Sequence, residues 1–187
     1  MRIDDEVFFA LVDGESPAIR FEDLDWSVEA DSCALPSQLE QRFRTLYLNP
    51  AQNCASRGDA FATGLLIVAA LDAIARLRLG SDWEVGKRFQ WFAKEYCSSL
   101  AAGDLAKRLY EEFRNGLVHQ GMIKKGSQFS VGMGGHAAEG DLLVLDAEVL
   151  EADLREGLAR FANELRADRW LRTGVAVLLR RDFAELS

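Results

Sequence analysis

The chain has 187 residues, of which 49% are hydrophobic and 28% charged, and this composition fits one globular domain large enough for a hydrophobic core. Its formal net charge of -8 argues against a protein that coats nucleic acid non-specifically, because phosphate repels an acidic surface at long range. A local basic patch is compatible with that charge, so a nuclease is not excluded. The three scattered cysteines indicate reduced thiols and, with two distant histidines, disfavour a zinc site.

Residues 1–36 are acidic and mixed, with short apolar runs that predict one or two strands or a hairpin through Asp13-Gly14. The first residues lack the apolar run of a signal peptide, so we expect a cytoplasmic protein. The longest uncharged stretch, Ala60 to Leu71, is shorter than the roughly 20 residues that a membrane span needs. We therefore expect no membrane association, and we interpret this stretch as part of a buried helix.

Residues 37–187 are predicted to form the main, helical domain. Ser37 and Glu40 fit a capping box at the start of the first helix, and Asn49-Pro50 is predicted to end it. The second helix, over residues 60–79, is apolar on nearly all sides, which is typical of a central helix. A third helix is predicted to begin at Asp82, with an apolar stripe running from Val85 to Leu100.

The second half of the domain is predicted to contain further helices on either side of a short β-element. A fourth helix begins at Asp104, and a fifth spans residues 147–168, followed by a short helix near Val175 to Leu179. Between the fourth and fifth helices, residues 128–131 and 142–145 are predicted as two strands of a hairpin, joined by a glycine-rich loop. The expected fold is therefore mainly α: an up-and-down antiparallel helical bundle with a small β-hairpin inserted between helices four and five.

The C-terminal end of the fourth helix, which we call the motif helix, carries the chemically most informative residues. Arg114 is followed directly by Asn115, and His119, one of only two histidines, comes five residues after the arginine. Arginine presents a planar fork that matches phosphate oxygens, and histidine can both take and give a proton near neutral pH. Asn115 lies one turn before His119, so it can orient the imidazole or donate to an oxygen. These three residues are the candidate catalytic group.

Two features flank this group. Lys124 and Lys125 follow the helix and are candidate substrate-binding residues for neighbouring phosphates. Gly116 lies inside the helix, where glycine costs about 1 kcal/mol relative to alanine. We expect a crowded surface there, formed by a close backbone, a substrate or a partner subunit.

The segment from Arg114-Asn115 to His119, at the end of a bundle helix, resembles the R-x4–6-H signature of the HEPN family. The resemblance covers residues 37–170 loosely and the motif closely. It implies a metal-independent endoribonuclease, often a toxin or defence effector, that forms a homodimer through the motif helix and needs no cofactor. RNA or a nucleotide and an antitoxin protein are the implied partners. One branch of the family carries a tyrosine two residues after the histidine, and here that position is Gly121.

Other interpretations of the same residues remain open from sequence. A non-catalytic HEPN-like module for nucleotide binding or protein interaction is the alternative function. Asp72, inside an apolar helix, is expected to pair with Arg76 or with an arginine from another helix, and orienting Arg114 is a further option. His136 lies in a glycine-rich loop and is expected to be solvated.

Overall fold

A computed structural model of the chain describes residues 2–3 and 6–184, apart from the side chains of residues 2, 3, 6, 118, 119 and 184. The described residues are mainly helical, which confirms the mainly α part of the predicted fold, and the up-and-down antiparallel topology stays a prediction. They form two compact units: Met1–Leu46 with Leu158–Ser187, and Tyr47–Gly157. The predicted domain boundary between residues 36 and 37 stays a prediction.

Six continuous helices account for most of the described chain, and two of them contain a wide π-helical turn. The first comprises α1 (Leu35–Phe43), a π-turn (Arg44–Leu48) and α2 (Asn49–Ala55). The fourth comprises α5 (Leu105–Arg108), a π-turn (Leu109–Arg114) and α6 (Asn115–Gln120). The others are α3 (Ala60–Leu79), α4 (Val85–Tyr96), α7 (Ala147–Ala167) and α8 (Arg169–Ala184), with one 3₁₀ turn at Ser98–Leu100.

The N-terminal residues form a small antiparallel sheet in the first unit. Its strands are β1 (Arg2–Ile3), β2 (Glu6–Ala10) and β3 (Ile19–Arg20), in the order β1-β2-β3. Asp13 and Ser16 exchange backbone hydrogen bonds in the connection between β2 and β3, so the chain turns back through the predicted Asp13-Gly14 position.

The first helix differs from its prediction at both ends. It begins at Leu35 with Pro36 in its first turn, where a missing N–H costs nothing, and no side chain of a described residue caps it. The predicted capping box is therefore wrong: the side chains of Ser37 and Glu40 instead accept hydrogen bonds from Arg166. The helix also continues past Pro50, because the π-turn directly before it changes the hydrogen-bond register where proline lacks its donor.

Helix α3 is the central helix of the second unit. It packs against α2, α4 and the motif helix, and its inward residues Ile67, Leu71 and Ile74 are fully buried or nearly so. By length and composition it is the one described helix that could cross a membrane, but half of it is buried in the protein. This is weak evidence for a membrane span, since the core helices of soluble proteins can have the same length and apolar composition.

The second sheet lies between the fourth helix and α7 in sequence. Strands are found at the predicted positions, β4 (Gln128–Ser130) and β6 (Leu142–Asp146), but they pair in parallel, so the predicted hairpin between them is wrong. An additional strand, β5 (Ala137–Glu139), forms the antiparallel hairpin with β6. The glycine-rich segment therefore supplies a strand as well as a turn, and β4 joins β6 from its other side.

Candidate functional site

Arg114 is fixed by a carboxylate from another helix. Its Nε and Nη2 both donate to Oδ2 of Asp72 on α3, at 3.1 and 2.7 Å. The guanidinium also lies 5.8 Å from the ring centroid of Tyr110, one turn earlier on its own helix. With 15% of its side chain exposed, Arg114 is held in one position and still reaches solvent. Asp72 therefore pairs with an arginine from another helix, as expected, and that arginine is Arg114 of the motif.

A second arginine, Arg88 on α4, faces the same carboxylate. Its Nη2 lies 3.8 Å from Oδ1 of Asp72, which is an ion pair but too long for a hydrogen bond. Arg88 is only 8% exposed. Neither Arg88 Nε nor Asp72 Oδ1 has a hydrogen-bond partner among the described residues, although both atoms are buried. Leaving buried charged groups incompletely bonded is costly, so this pair is a strong pointer to a functional site.

These residues line an open pocket of about 330 Å³ between α3, α4 and the motif helix. Its lining residues include three arginines and one aspartate, a formal excess of two positive charges among them within a chain of net charge -8. The rest of its wall is apolar. The lining residues are Leu65, Val68, Ala69, Asp72, Ala73, Arg76, Arg88, Arg114 and Leu117.

The other two members of the predicted catalytic group follow Arg114 on α6. Asn115 is half-buried, and its Oδ1 lies 3.5 Å from Arg114 Nη1, at the limit of a hydrogen bond. The backbone of His119 belongs to α6, which ends at Gln120 with Gly121 in the left-handed conformation (φ 67°). The side chain of His119 lies outside the described residues, so its catalytic role stays a prediction.

Neither of the two predicted substrate-binding lysines is among the residues that line this pocket. Lys125 Nζ is 3.4 Å from Oε1 of Glu112, and it lines a separate polar pocket with Arg108 and Asp141. Lys124 is half-buried, and its backbone N–H donates to the carbonyl of Glu112. In this structure the loop of the two lysines therefore packs on the motif helix, and a role in binding substrate stays a prediction.

The crowding expected at Gly116 comes from the chain itself. A Cβ added at Gly116 would lie 2.3 Å from the carbonyl oxygen of Met122 and 3.4 Å from Cα of Ile123. The loop that leaves the helix thus folds back over this position and needs a residue without a side chain there. No partner subunit is required to explain this glycine.

We expect Gly116→Ala to lower the free energy of unfolding by about 1–3 kcal/mol, because backbone must move to admit the methyl group. Gly174→Ala is the matched control. Gly174 lies in α8 with nothing within 4 Å of an added Cβ, so alanine should stabilise by about 0.5–1 kcal/mol through its helix propensity. Urea unfolding followed by circular dichroism measures both changes. Equal effects at the two sites would contradict the close approach at Gly116.

His136, expected to be solvated, is half-buried and hydrogen-bonded at both ring nitrogens. The backbone N–H of Asp146 donates to its Nδ1 at 3.1 Å, so the ring is neutral with its proton on Nε2, which donates to Ser99 Oγ at 2.9 Å. Burial lowers the pKa of His136, against the opposing charges of Asp146 and Asp153. A neutral ring that accepts from backbone is a structural histidine in this loop.

Sequence reasoning did not single out Arg88. A signal was present, because Arg88 lies three residues after Val85 and four before Phe92, on the apolar stripe of its helix. A charged residue on such a stripe needs a buried partner, and here that partner is Asp72.

Comparison with known proteins gives no further guidance, since no protein-family model, curated protein or solved structure matches this chain. The functional argument consequently rests on the residues and geometry of this site.

Proposed function

We propose that this chain is a metal-independent endoribonuclease of the HEPN type, with Arg114, Asn115 and His119 as its catalytic group. The observation that carries the proposal is the placement of Arg114, anchored by Asp72 on the wall of an open, locally positive pocket. A guanidinium that is already oriented stabilises developing phosphate charge without reorganising during the reaction. The excess positive charge also offsets the repulsion that an RNA meets at an acidic protein.

The proposed reaction is attack of a ribose 2′-hydroxyl on the adjacent phosphorus. His119 takes the proton from the 2′-oxygen, a new O–P bond forms, and the bond to the 5′-oxygen breaks. A second imidazole, from the other protomer, gives a proton to the leaving 5′-oxygen. The products are a 2′,3′-cyclic phosphate and a 5′-hydroxyl. Arg114 stabilises the negative charge on the pentavalent phosphorane.

The proposal includes the assembly that the HEPN resemblance implies. The helices take an up-and-down antiparallel arrangement, and two chains pair through the motif helix so that both motifs line one cleft. The enzyme acts in the cytoplasm as a toxin or defence effector, and an antitoxin protein is its partner.

A second candidate is a non-catalytic module that binds a nucleotide or joins subunits. It is favoured by the engagement of Arg114, since both Nε and Nη2 of the guanidinium already donate to Asp72. An arginine neutralised in this way is suited to recognition or structure as well as to catalysis.

The test compares wild type, Arg114→Ala and His119→Ala on total RNA in the presence of EDTA. We expect cleavage by the wild type with 2′,3′-cyclic phosphate ends, and a loss of about 100-fold or more in each variant. Lys107→Ala is the control, because it removes a positive charge from an exposed position on the same helix and should cleave normally. If the wild-type protein leaves RNA intact, or cuts it no better than His119→Ala does, the proposed nuclease activity is overturned and the binding module is favoured. Relief of toxicity by Arg114→Ala on expression is an independent readout.

A further inference from the structure

We infer that the pocket between α3, α4 and the motif helix is a mononucleotide subsite. In it, Arg88 binds the phosphate and the apolar wall contacts the base. This inference deepens the proposed function and rests on it for the class of ligand. It assigns a role to Arg88, which lies outside the R-x4–6-H motif and 26 positions before Arg114 in the chain.

The first step is the incomplete bonding of Arg88. A buried guanidinium normally satisfies its donors, because removing a charge from water costs several kcal/mol unless it is paired and hydrogen-bonded. Here the nearest carboxylate oxygen is 3.8 Å away, and Nε has no partner among the described residues. Asp72 meanwhile accepts two short hydrogen bonds from Arg114. The carboxylate of Asp72 thus faces two guanidinium groups but forms hydrogen bonds with only one of them, that of Arg114.

The second step is that an anion in the pocket completes this arrangement. A phosphate in the pocket bonds directly to Arg88, and Asp72 keeps the two hydrogen bonds that it accepts from Arg114. The formal excess of positive charge among the lining residues is then reduced, and the buried guanidinium of Arg88 gains charge-assisted hydrogen bonds.

The third step concerns the shape and polarity of the remaining wall. Leu65, Val68, Ala69 and Leu117 present an apolar surface beside the arginines, and Leu65 is 42% exposed. The volume of about 330 Å³ is in the range of small-molecule sites and exceeds what a phosphate alone would fill. A phosphate attached to a flat, largely apolar ring matches both parts of the wall, and a nucleotide has that chemistry.

Mononucleotides provide the test, because they contain no internucleotide bond and so report binding separately from cleavage. Titration calorimetry on the full chain should compare a nucleoside 5′-monophosphate with inorganic phosphate and with the free nucleoside. We expect the nucleotide to bind at least about tenfold more tightly than either part. Inorganic phosphate that binds as tightly as the nucleotide would overturn the assignment of the apolar wall.

Two variants test the residues. Arg88→Gln should weaken nucleotide binding by about tenfold or more, whereas Lys87→Gln, which removes an exposed charge from the next position of α4, should not. Ala69→Trp should block the pocket from its exposed side while leaving every charge in place, and its melting temperature shows whether the fold is kept. If Arg88→Gln fails to fold, Ala69→Trp decides alone. Unchanged binding in a folded Ala69→Trp protein would overturn the inference.

The two proposals fail in different ways. RNA cleavage by a chain that binds no mononucleotide would support the proposed ribonuclease activity and overturn the mononucleotide subsite. If the chain cuts no RNA but binds a mononucleotide in a way that depends on Arg88 and Ala69, the subsite is supported and the ribonuclease activity is overturned.

Discussion

Replacing Glu112 by alanine is expected to lower the free energy of unfolding by about 3–5 kcal/mol, although Glu112 lies outside the candidate pocket. The carboxylate is 2% exposed and accepts hydrogen bonds from Arg108 at 2.9 and 3.1 Å and from Ser127 at 2.7 Å. Lys125 reaches it from the loop that follows the helix. Alanine would leave Arg108, itself largely buried, without its carboxylate.

The control is Glu111→Ala, one position earlier. Its side chain is 50% exposed, and its ion pair with Lys107 is 3.9 Å long, so the expected change is within about 0.5 kcal/mol. Thermal and urea unfolding of the two variants gives the comparison. Similar losses in both would show that the buried network contributes little.

Acid should weaken the same network. Burial alone would raise the pKa of Glu112, but the hydrogen bonds from Arg108, Ser127 and Lys125 outweigh it and leave the pKa below its usual range. A lowered pKa contributes stability that is present above the usual glutamate value, about 4.3, and is lost as the pH falls through the folded-state value. We therefore expect the stability difference between wild type and Glu112→Gln to shrink below about pH 4. A difference that stays constant down to acid unfolding would contradict this assignment.

Replacing Arg172 by methionine is expected to destabilise the first unit by about 3 kcal/mol or more. Arg172 is 2% exposed, and its guanidinium donates hydrogen bonds to four backbone carbonyls. Nη1 donates to Leu165 and Arg166 at 2.8 and 3.0 Å, Nε to Val28 at 2.6 Å, and Nη2 to Ala30 at 3.3 Å. The guanidinium thereby satisfies the last carbonyls of α7 and a turn of the N-terminal segment.

Methionine keeps the apolar stem of Arg172 but removes every donor, which leaves buried carbonyls without partners. Arg172→Lys keeps the charge but not the planar fork, so it should also lose most of this stability. Arg181→Met is the control, since that side chain is 56% exposed beside Asp182. Urea unfolding midpoints should fall for both Arg172 variants and stay near wild type for the control. A stable Arg172→Lys protein would mean that charge alone, without the fork, is sufficient.

Apolar content and spacing predicted the limits of two long helices well. Helix α3 was expected over residues 60–79 and is found there, and α7 ends within one residue of its predicted limit. The motif helix was also placed correctly, but its π-turn was not foreseen. The apolar stripe of this helix repeats every four residues from Leu105 to Leu117, which suits a wider turn than an α-helix.

The candidate site was predictable in part. Arg114 and Asn115 stand out locally, because their chemistry is adjacent in sequence. The sequence also suggests Asp72 as one possible partner of Arg114, but it does not bring Arg88 to them, because the three residues meet only when three helices pack. The parallel pairing of β4 with β6 was missed for the same reason, because a glycine-rich connection gave no sign of the strand within it.

The division of the chain into two compact units has a consequence for its synthesis. The unit that carries Arg114 is one uninterrupted segment, Tyr47–Gly157, whereas the other unit joins Met1–Leu46 to Leu158–Ser187. Translation delivers Met1–Leu46 before Tyr47–Gly157 and Leu158–Ser187 after it, so the uninterrupted unit has all of its residues before the other unit does. A ribosome stalled shortly after residue 157 would therefore hold a nascent chain with every residue of the candidate site and an unfinished neighbour.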